Sequence, residues 1–387
     1  MKRSRMLLGL AAVAGCLLVG RSAPAEGPKS EGEAGKPRIQ MAILLDTSGS
    51  MNGLINQART QIWKIVNELA TAKRDGKSPD LRVALYEYGK SSLPASEGHL
   101  RQIVPLTDDL DKISEELFAL TTNGGSEHCG QVIDAATKGL AWSGSDADLK
   151  LIYIAGNEPF TQGPVDYREA CQAAVKRGIV VNTIFCGPEA EGVRTMWQDG
   201  ARISDGLFAS IDQNQAVAEV KTPFDEKLAA LGGEINKTYV AYGKKAEREN
   251  LARRQVAQDA NAKAAAPAAA AERAAFKSSG QYRNAAWDLL DALDQKTVKL
   301  EDVKDEDLPE ELRKLSLEER QAHLDKKREE RAKIQGEIKE LSEKRSEFIA
   351  EARLKEAEAA GKQTLDAALI RSIRTQAEKK QFQFEQK

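Results

Sequence analysis

Short apolar, β-branched segments alternate with amphipathic stretches, and this alternation restricts the chain to few architectures. Between the first two apolar segments, small and aliphatic residues recur at three- to four-residue spacing, which predicts a helix with one apolar face. These residues are Leu54, Ala58, Ile62, Val66 and Leu69. Six segments have the length and composition of strands: 39–45, 81–88, 103–106, 149–155, 179–185 and 207–211. We therefore predict an α/β fold over residues 38–235, a doubly wound and mostly parallel six-stranded sheet with helices on both faces.

The charge balance limits the classes of partner. The 387 residues include 57 Lys and Arg against 59 Asp and Glu, a net charge of −2. Nucleic-acid-binding domains need a basic surface, so a polynucleotide partner is not predicted.

The first 25 residues have the pattern of an export signal. Basic residues precede an apolar run over 6–20 that is short for a membrane span, and small residues follow it. A second cleavage site also fits, because the four residues that end at Cys16 resemble a bacterial lipobox, whose cysteine is lipidated. The protein is predicted to reach the periplasm or cell envelope, either free or as a lipoprotein anchored at Cys16. Residues 26–37 have the composition of a linker.

Three further cysteines, Cys129, Cys171 and Cys186, are an odd number for an oxidising compartment. The simplest expectation is one disulfide and one buried thiol. Since His128-Cys129 has no second Cys or His pair at ligand spacing, a zinc site is not predicted.

Beyond residue 235 the strand pattern stops. Residues 236–315 predict an Ala-rich helical linker region, and residues 316–387 predict a long charged helix followed by a C-terminal helix. Ser316 and Glu319 form a capping box, and the helical pattern continues to Gly361. The segment 364–380 is amphipathic and is expected to fold back antiparallel across the break at Gly361.

The long helix carries a heptad pattern that is only partly apolar. Its seam holds apolar residues and four cations: Leu317, Arg320, Leu324, Lys327, Arg331, Ile334, Ile338, Leu341, Arg345, Phe348 and Ala352. This pattern fits either a coiled coil, through which the protein would oligomerise, or a solvated single helix.

The first strand runs directly into Asp46-Thr47-Ser48-Gly49-Ser50. One carboxylate and two hydroxyls at alternate positions can converge on a hard cation such as Mg²⁺, which takes about six oxygen ligands. The alternative is that one of these side chains only caps the helix that follows.

This stretch resembles the metal-ion-dependent adhesion site of von Willebrand factor A domains, with Asp46, Ser48 and Ser50 as its first loop. The resemblance implies a site for Mg²⁺, or for Mn²⁺ or Ca²⁺, whose shell is completed by the carboxylate of a protein or peptide partner. It also implies a Thr from a second loop and an Asp from a third.

The second and third loops depart from the family pattern. In the second loop, Ser126 stands where the family usually has Thr, with Glu127 beside it. In the third loop, Gly156 stands in place of the expected Asp, so Asn157 or Glu158 would have to donate oxygen. The resemblance implies either substitution of the missing acid, which Glu127 could also supply, or a weakened site.

Catalytic patterns do not fit this chain. Ser48 breaks both the aspartic-protease pattern and that of haloacid-dehalogenase-like phosphatases, and nucleophile-elbow, phosphate-loop and zinc-protease motifs are missing from the sequence. We therefore predict a metal-dependent binding protein, not an enzyme. The alternative is a metal-free scaffold or assembly protein that acts through its C-terminal helices.

Overall fold

The computed structural model describes residues 36–52, 55–211, 220–360 and 365–384. Its strands are β1 (Arg38–Asp46), β2 (Asp80–Tyr88), β3 (Leu100–Thr107), β4 (Leu149–Gly156), β5 (Ile179–Phe185) and β6 (Phe208–Ser210). They form one sheet in the order β3-β2-β1-β4-β5-β6, in which β3 is antiparallel to β2 and all other neighbours are parallel.

The helices of the N-terminal half are α1 (Ile55–Ala70), α2 (Leu110–Ala119), α3 (Cys129–Gly139), α4 (Tyr167–Lys176), α5 (Glu189–Arg194) and α6 (Trp197–Ile203). Those of the C-terminal half are α7 (Asp225–Asn236), α8 (Lys245–Ala265), α9 (Pro267–Lys277), α10 (Leu289–Asp294), α11 (Glu310–Arg313), α12 (Leu317–Ala360) and α13 (Leu365–Glu378).

Both faces of the sheet are covered by apolar layers. Along β1, Met41 and Ile43 enter a cluster with α1 and α2, whereas Ala42 and Leu44 enter a cluster with α3 and α4. This division follows from the two-residue repeat of a strand, and burial on both faces explains the continuous apolar run.

The predicted fold class is confirmed, and each of the six predicted strands is present. Only β3 differs from its predicted bounds by more than one residue at either end. It begins earlier than predicted, because its residues from Leu100 onward pair with β2. Leu54, residues 1–35, Cys16 and Gly361 lie outside the described residues. The domain boundaries after residues 235 and 315 stay predictions.

The capping box at the start of α12 is confirmed. The Glu319 amide donates to Ser316 Oγ at 3.3 Å, and the Ser316 amide donates to Glu319 Oε2 at 2.8 Å. This reciprocal pair satisfies two amides at the helix start that have no partner within the helix.

The heptad seam of α12 packs within the chain, mainly on α7 and α9. Ile338 is fully buried against α7 and α9, whereas Leu324 is fully buried in a separate cluster with Leu289 of α10 and Leu312 of α11. The cations of the seam have intrachain partners: Arg331 with Asp288 and Asp291, Arg345 with Asp225, Arg320 with Asp305, and Lys327 with the carbonyl of Lys237. These acidic and carbonyl partners explain why the seam contains cations.

Helix α13 packs against α1 and β6 of the sheet region, which differs from the expected return along the long helix. Ile373 and Phe382 are fully buried in the cluster that includes α1. The segment that follows α13 pairs with the loop after α1, because the amides of Lys73 and Gln383 donate to each other's carbonyls at 2.8 and 2.7 Å. The C-terminal segment thus completes the core of the sheet region.

The expected disulfide is wrong. Cys129, Cys171 and Cys186 are all buried and free. They lie on α3, on α4 and after β5, where each packs as a small apolar side chain.

None of the helices in the described ranges has the length and apolar character required to cross a bilayer.

Candidate metal centre

The site begins where β1 ends, at Asp46. This side chain is fully buried, and its Oδ1 atom accepts a hydrogen bond from the Ser48 amide at 2.7 Å. Its Oδ2 atom is also buried and has no hydrogen-bond partner among the described residues. A buried acceptor without a partner carries a desolvation cost, so this oxygen is available to a ligand.

Three oxygens stand in a row beside Asp46, at the carboxyl ends of β1 and β4. Ser48 Oγ lies 2.8 Å from Ser50 Oγ, and Ser50 Oγ donates to Asn157 Oδ1 at 2.9 Å. Adjacent ligands of an octahedral Mg²⁺, each about 2.1 Å from the metal, are about 3.0 Å apart. The spacing and chemistry of these oxygens therefore fit a hard cation.

The capping alternative does not describe these serines. Ser48 precedes a short 3₁₀ helix, Gly49–Met51, and makes no side-chain capping bond to it. The α1 helix begins only at Ile55. The Ser48 and Ser50 hydroxyls face each other instead.

The second loop brings Glu127 to Asp46. The Ser126 amide donates to the Gly89 carbonyl at 3.2 Å, which ties this loop to the end of β2. Glu127 is only 6% exposed. A Cβ atom added to Gly89 would lie 2.7 Å from Asp46 Oδ1 and 3.0 Å from Glu127 Cγ, so the two acidic side chains face each other across this glycine.

The third loop has a glycine at its first position and therefore offers no carboxylate there. It contributes the side-chain amide of Asn157 instead. Gly156 lies against Asp46, and Asn157 reaches Ser50. The Glu158 carboxylate accepts a hydrogen bond from Gln162 Nε2 at 3.2 Å. The backbone carbonyl of Glu158 accepts one from the Trp197 indole at 2.8 Å. Of the residues predicted for the site, Asp46, Ser48, Ser50, Glu127 and Asn157 thus come together, Ser126 joins through its backbone, and Glu158 bonds elsewhere.

The pKa values of the two acidic side chains, Asp46 and Glu127, are both raised. Burial raises the pKa of Asp46, hydrogen bonds from Ser48 lower it, and the charge of Glu127 raises it, so that the net pKa is about 7. Burial also raises the pKa of Glu127, and the charge of Glu158 adds to this increase. A bound cation would favour the charged form of both groups.

Two residues of the site, Tyr88 and Gly89, were missed by sequence reasoning. Gly89 has φ +83°, a conformation that favours glycine, and its lack of a side chain leaves room for Asp46 and Glu127. Tyr88 donates from its hydroxyl to the Ala155 carbonyl at 3.1 Å. A glycine directly after an apolar strand was the available signal for a close approach.

Replacing Gly156 with alanine is expected to destabilise the protein by about 1–3 kcal/mol. The new Cβ would lie 2.5 Å from the Tyr88 hydroxyl and 3.0 Å from Asp46 Oδ2. Urea unfolding measures this loss, and in a Tyr88→Phe background the Gly156→Ala cost is expected to fall by about 1 kcal/mol. An equal cost in both backgrounds would contradict the predicted contact.

The donor set consists mainly of neutral oxygens. Among the described residues, no three His, Cys, Asp or Glu side chains converge as a metal-binding group. A cation here would take a carboxylate oxygen from Asp46 and neutral oxygens from Ser48, Ser50 and water. Because Ser50 is exposed, a partner can approach the site from solvent.

Comparison with known structures found similar folds at low identity. The conserved hypothetical protein BatB from Bacteroides thetaiotaomicron is 16% identical with a TM-score of 0.36, over 46% of this chain and 93% of that chain. An aerotolerance-related membrane protein from Bacteroides fragilis is 18% identical with a TM-score of 0.33, over 46% and 94%. Proximal thread matrix protein 1 from the mussel byssus, in a structure with a zinc-occupied MIDAS motif, is 12% identical with a TM-score of 0.34, over 47% and 43%.

A search of curated proteins found no match. The family model for the von Willebrand factor type A domain matches residues 40–209. The matched range begins in β1 and ends in β6, so it includes the sheet and the three loops of the site. Residues 40–209 therefore form a von Willebrand factor type A domain.

Proposed function

We propose that this protein binds a protein or peptide partner through a divalent cation at the end of β1, and that a partner carboxylate completes the cation's shell. The observation that carries this proposal is the buried Oδ2 atom of Asp46, which has no hydrogen-bond partner in the described structure and lies beside the hydroxyls of Ser48 and Ser50. The bound cation, Mg²⁺ or else Mn²⁺ or Ca²⁺, supplies an electrostatic attraction for an anionic oxygen.

The chain's own residues have distinct roles in this proposal. Asp46 supplies negative charge and is held by the Ser48 amide. Ser48 and Ser50 supply neutral oxygens, and Asn157 orients Ser50 through their hydrogen bond. Because neutral oxygens bind without adding charge, the cation keeps part of its attraction for an acidic partner. The proposed activity is therefore the binding of an acidic partner.

The second candidate is a metal-free scaffold that acts through its C-terminal helices. The observation in its favour is Gly156, which takes the position of an acidic residue in the family pattern. The two candidates differ in whether the protein responds to divalent cations.

We further propose export to the periplasm or cell envelope, with lipid anchoring at Cys16 as one of two alternatives and oligomerisation through the helices as an option. These proposals rest on the sequence of residues 1–25 and on the heptad pattern.

Removal of divalent cations is expected to lower the stability of the protein. A cation that binds only the folded state stabilises it by RT ln(1 + [L]/Kd), which is about 2.7 kcal/mol at 100-fold saturation. Urea unfolding of residues 26–387 in EDTA, Mg²⁺ and Mn²⁺ measures this shift, and Asp46→Asn is expected to abolish it. The control Asp205→Asn changes an exposed acidic residue and should keep the shift.

If neither Mg²⁺ nor Mn²⁺ stabilises the wild-type protein, the metal-dependent function is contradicted and the scaffold is favoured. A shift that persists in Asp46→Asn would place the cation elsewhere in the protein.

Capture of a carboxylate can be tested with acetate as the probe. Acetate that replaces water on protein-bound Mn²⁺ should lower the water-proton relaxivity in a saturable way, whereas acetamide, which has a similar shape and no charge, should leave it unchanged. If acetate has no effect on the Mn²⁺-loaded protein, partner capture through a carboxylate is wrong even though the cation binds.

A further inference from the structure

The family pattern places a carboxylate at the first position of the third loop, where this chain has Gly156, and this structure leaves no space for one. A Cβ atom at position 156 would lie 2.5 Å from the Tyr88 hydroxyl, which is itself held by its bond to the Ala155 carbonyl. A longer acidic side chain at this position would have to displace Tyr88 or Asp46. The missing acid therefore cannot be restored locally.

Glu127 reaches the same region from the second loop. Its Oε1 atom lies 2.5 Å from the point that a Cβ atom on Gly125 would occupy. The neighbouring Gly124 carbonyl accepts a hydrogen bond from the Gly49 amide at 2.5 Å, and Gly49 separates Ser48 from Ser50. The Glu127 carboxylate also accepts a hydrogen bond from the Ser48 side chain, which joins it to the loop that carries the two serine hydroxyls.

Among the described residues, no Lys or Arg forms an ion pair with these two acids, although the charge of His99 lowers the pKa of Glu127. Asp46 and Glu127 are both more than nine-tenths buried and face each other across Gly89. Lys90 and Arg101, from the neighbouring strand ends, pair with Glu87 instead. Two buried like charges without a Lys or Arg partner are costly, and a divalent cation would balance both.

We infer that Glu127 is the second anionic ligand of the metal centre and takes the role of the acid that Gly156 cannot carry. This inference rests on the proposed function, since it requires a cation at Asp46. Its consequence is that two carboxylates of this chain hold the cation before any partner arrives. The cation therefore binds without the partner, and because the coupling is reciprocal, a partner that depends on the cation also tightens cation binding.

The test is Mn²⁺ binding to the protein of residues 26–387, measured by electron paramagnetic resonance of the free ion. Glu127→Gln keeps the size of the side chain and removes its charge, and we expect it to raise the Kd for Mn²⁺ about tenfold or more. Glu158→Gln is the matched control, because Glu158 is also an acidic residue near the centre and bonds to Gln162. Its Kd should stay within about twofold of wild type.

Unfolding in EDTA gives a second measurement that separates a ligand from a structural residue. Without a cation, Glu127→Gln relieves repulsion with Asp46, so this variant should be at least as stable as wild type. If Glu127 only supported the loop, its replacement would destabilise the protein in EDTA.

The possible results distinguish this inference from the proposed function. Wild-type affinity in Glu127→Gln, together with loss of binding in Asp46→Asn, would overturn the inference and leave the metal site intact. Loss of affinity in Glu158→Gln in place of Glu127→Gln would assign the second ligand to Glu158. Failure of wild type to bind Mn²⁺ would overturn the proposed function along with the inference.

Discussion

Replacement of Arg273 with methionine is expected to destabilise the protein by about 3–5 kcal/mol, because it leaves a buried acid without its counter-charge. Arg273, on α9, is 3% exposed. Its Nη2 atom lies 2.6 Å from Asp111 Oδ1 on α2, and its Nε atom lies 3.0 Å from Asp259 Oδ1 on α8. The arginine thus joins the sheet region to two C-terminal helices.

Urea unfolding measures the loss, and Arg253→Met on the exposed side of α8 should change stability by no more than about 0.5 kcal/mol. If a buried charge causes the effect, adding Asp111→Asn to Arg273→Met should recover part of the stability, since the orphaned carboxylate is then gone. Additive losses in the double variant would show that packing, not charge, accounts for the cost.

Replacement of Phe382 with alanine is expected to cost about 3–5 kcal/mol, the range for emptying a large buried aromatic site. Phe382 is fully buried beyond the end of α13, and the Arg74 guanidinium lies 4.9 Å from the centre of its ring. Because this residue belongs to the cluster that contains α1, the loss should destabilise the whole sheet region.

Phe348→Ala is the matched control on α12. Phe348 is 40% exposed, so the same substitution should cost about 1 kcal/mol or less. Equal and small effects of the two substitutions would indicate that the C-terminal segment is not part of the cooperative fold.

The fold of the sheet region was predictable because each strand is a local, continuous apolar run. The first loop of the site was predictable for the same reason, since Asp46, Ser48 and Ser50 are neighbours in sequence. The contact between Asp46 and Glu127 was not, because it depends on Gly89, which comes from a different strand end.

The arrangement of the C-terminal half was harder to predict. A heptad pattern shows which face of α12 is buried, but not whether the partner belongs to the same chain. The pairing of Arg331 with Asp288 joins residues 43 positions apart, and Gln376 pairs with Asn182 across 194 positions. Contacts at such separations leave no periodic signal in the sequence.

The pairing of Lys73 with Gln383 has a practical consequence for how the protein can be attached to a surface. Lys73 follows α1, which leads away from the site, so this pairing lies at the pole of the sheet where the parallel strands begin. The Arg38 end of β1 lies at the same pole, and the centre around Asp46 lies at the opposite one. A tether fused to either end of residues 36–384 therefore holds the protein by the far pole and leaves the metal centre facing the solution.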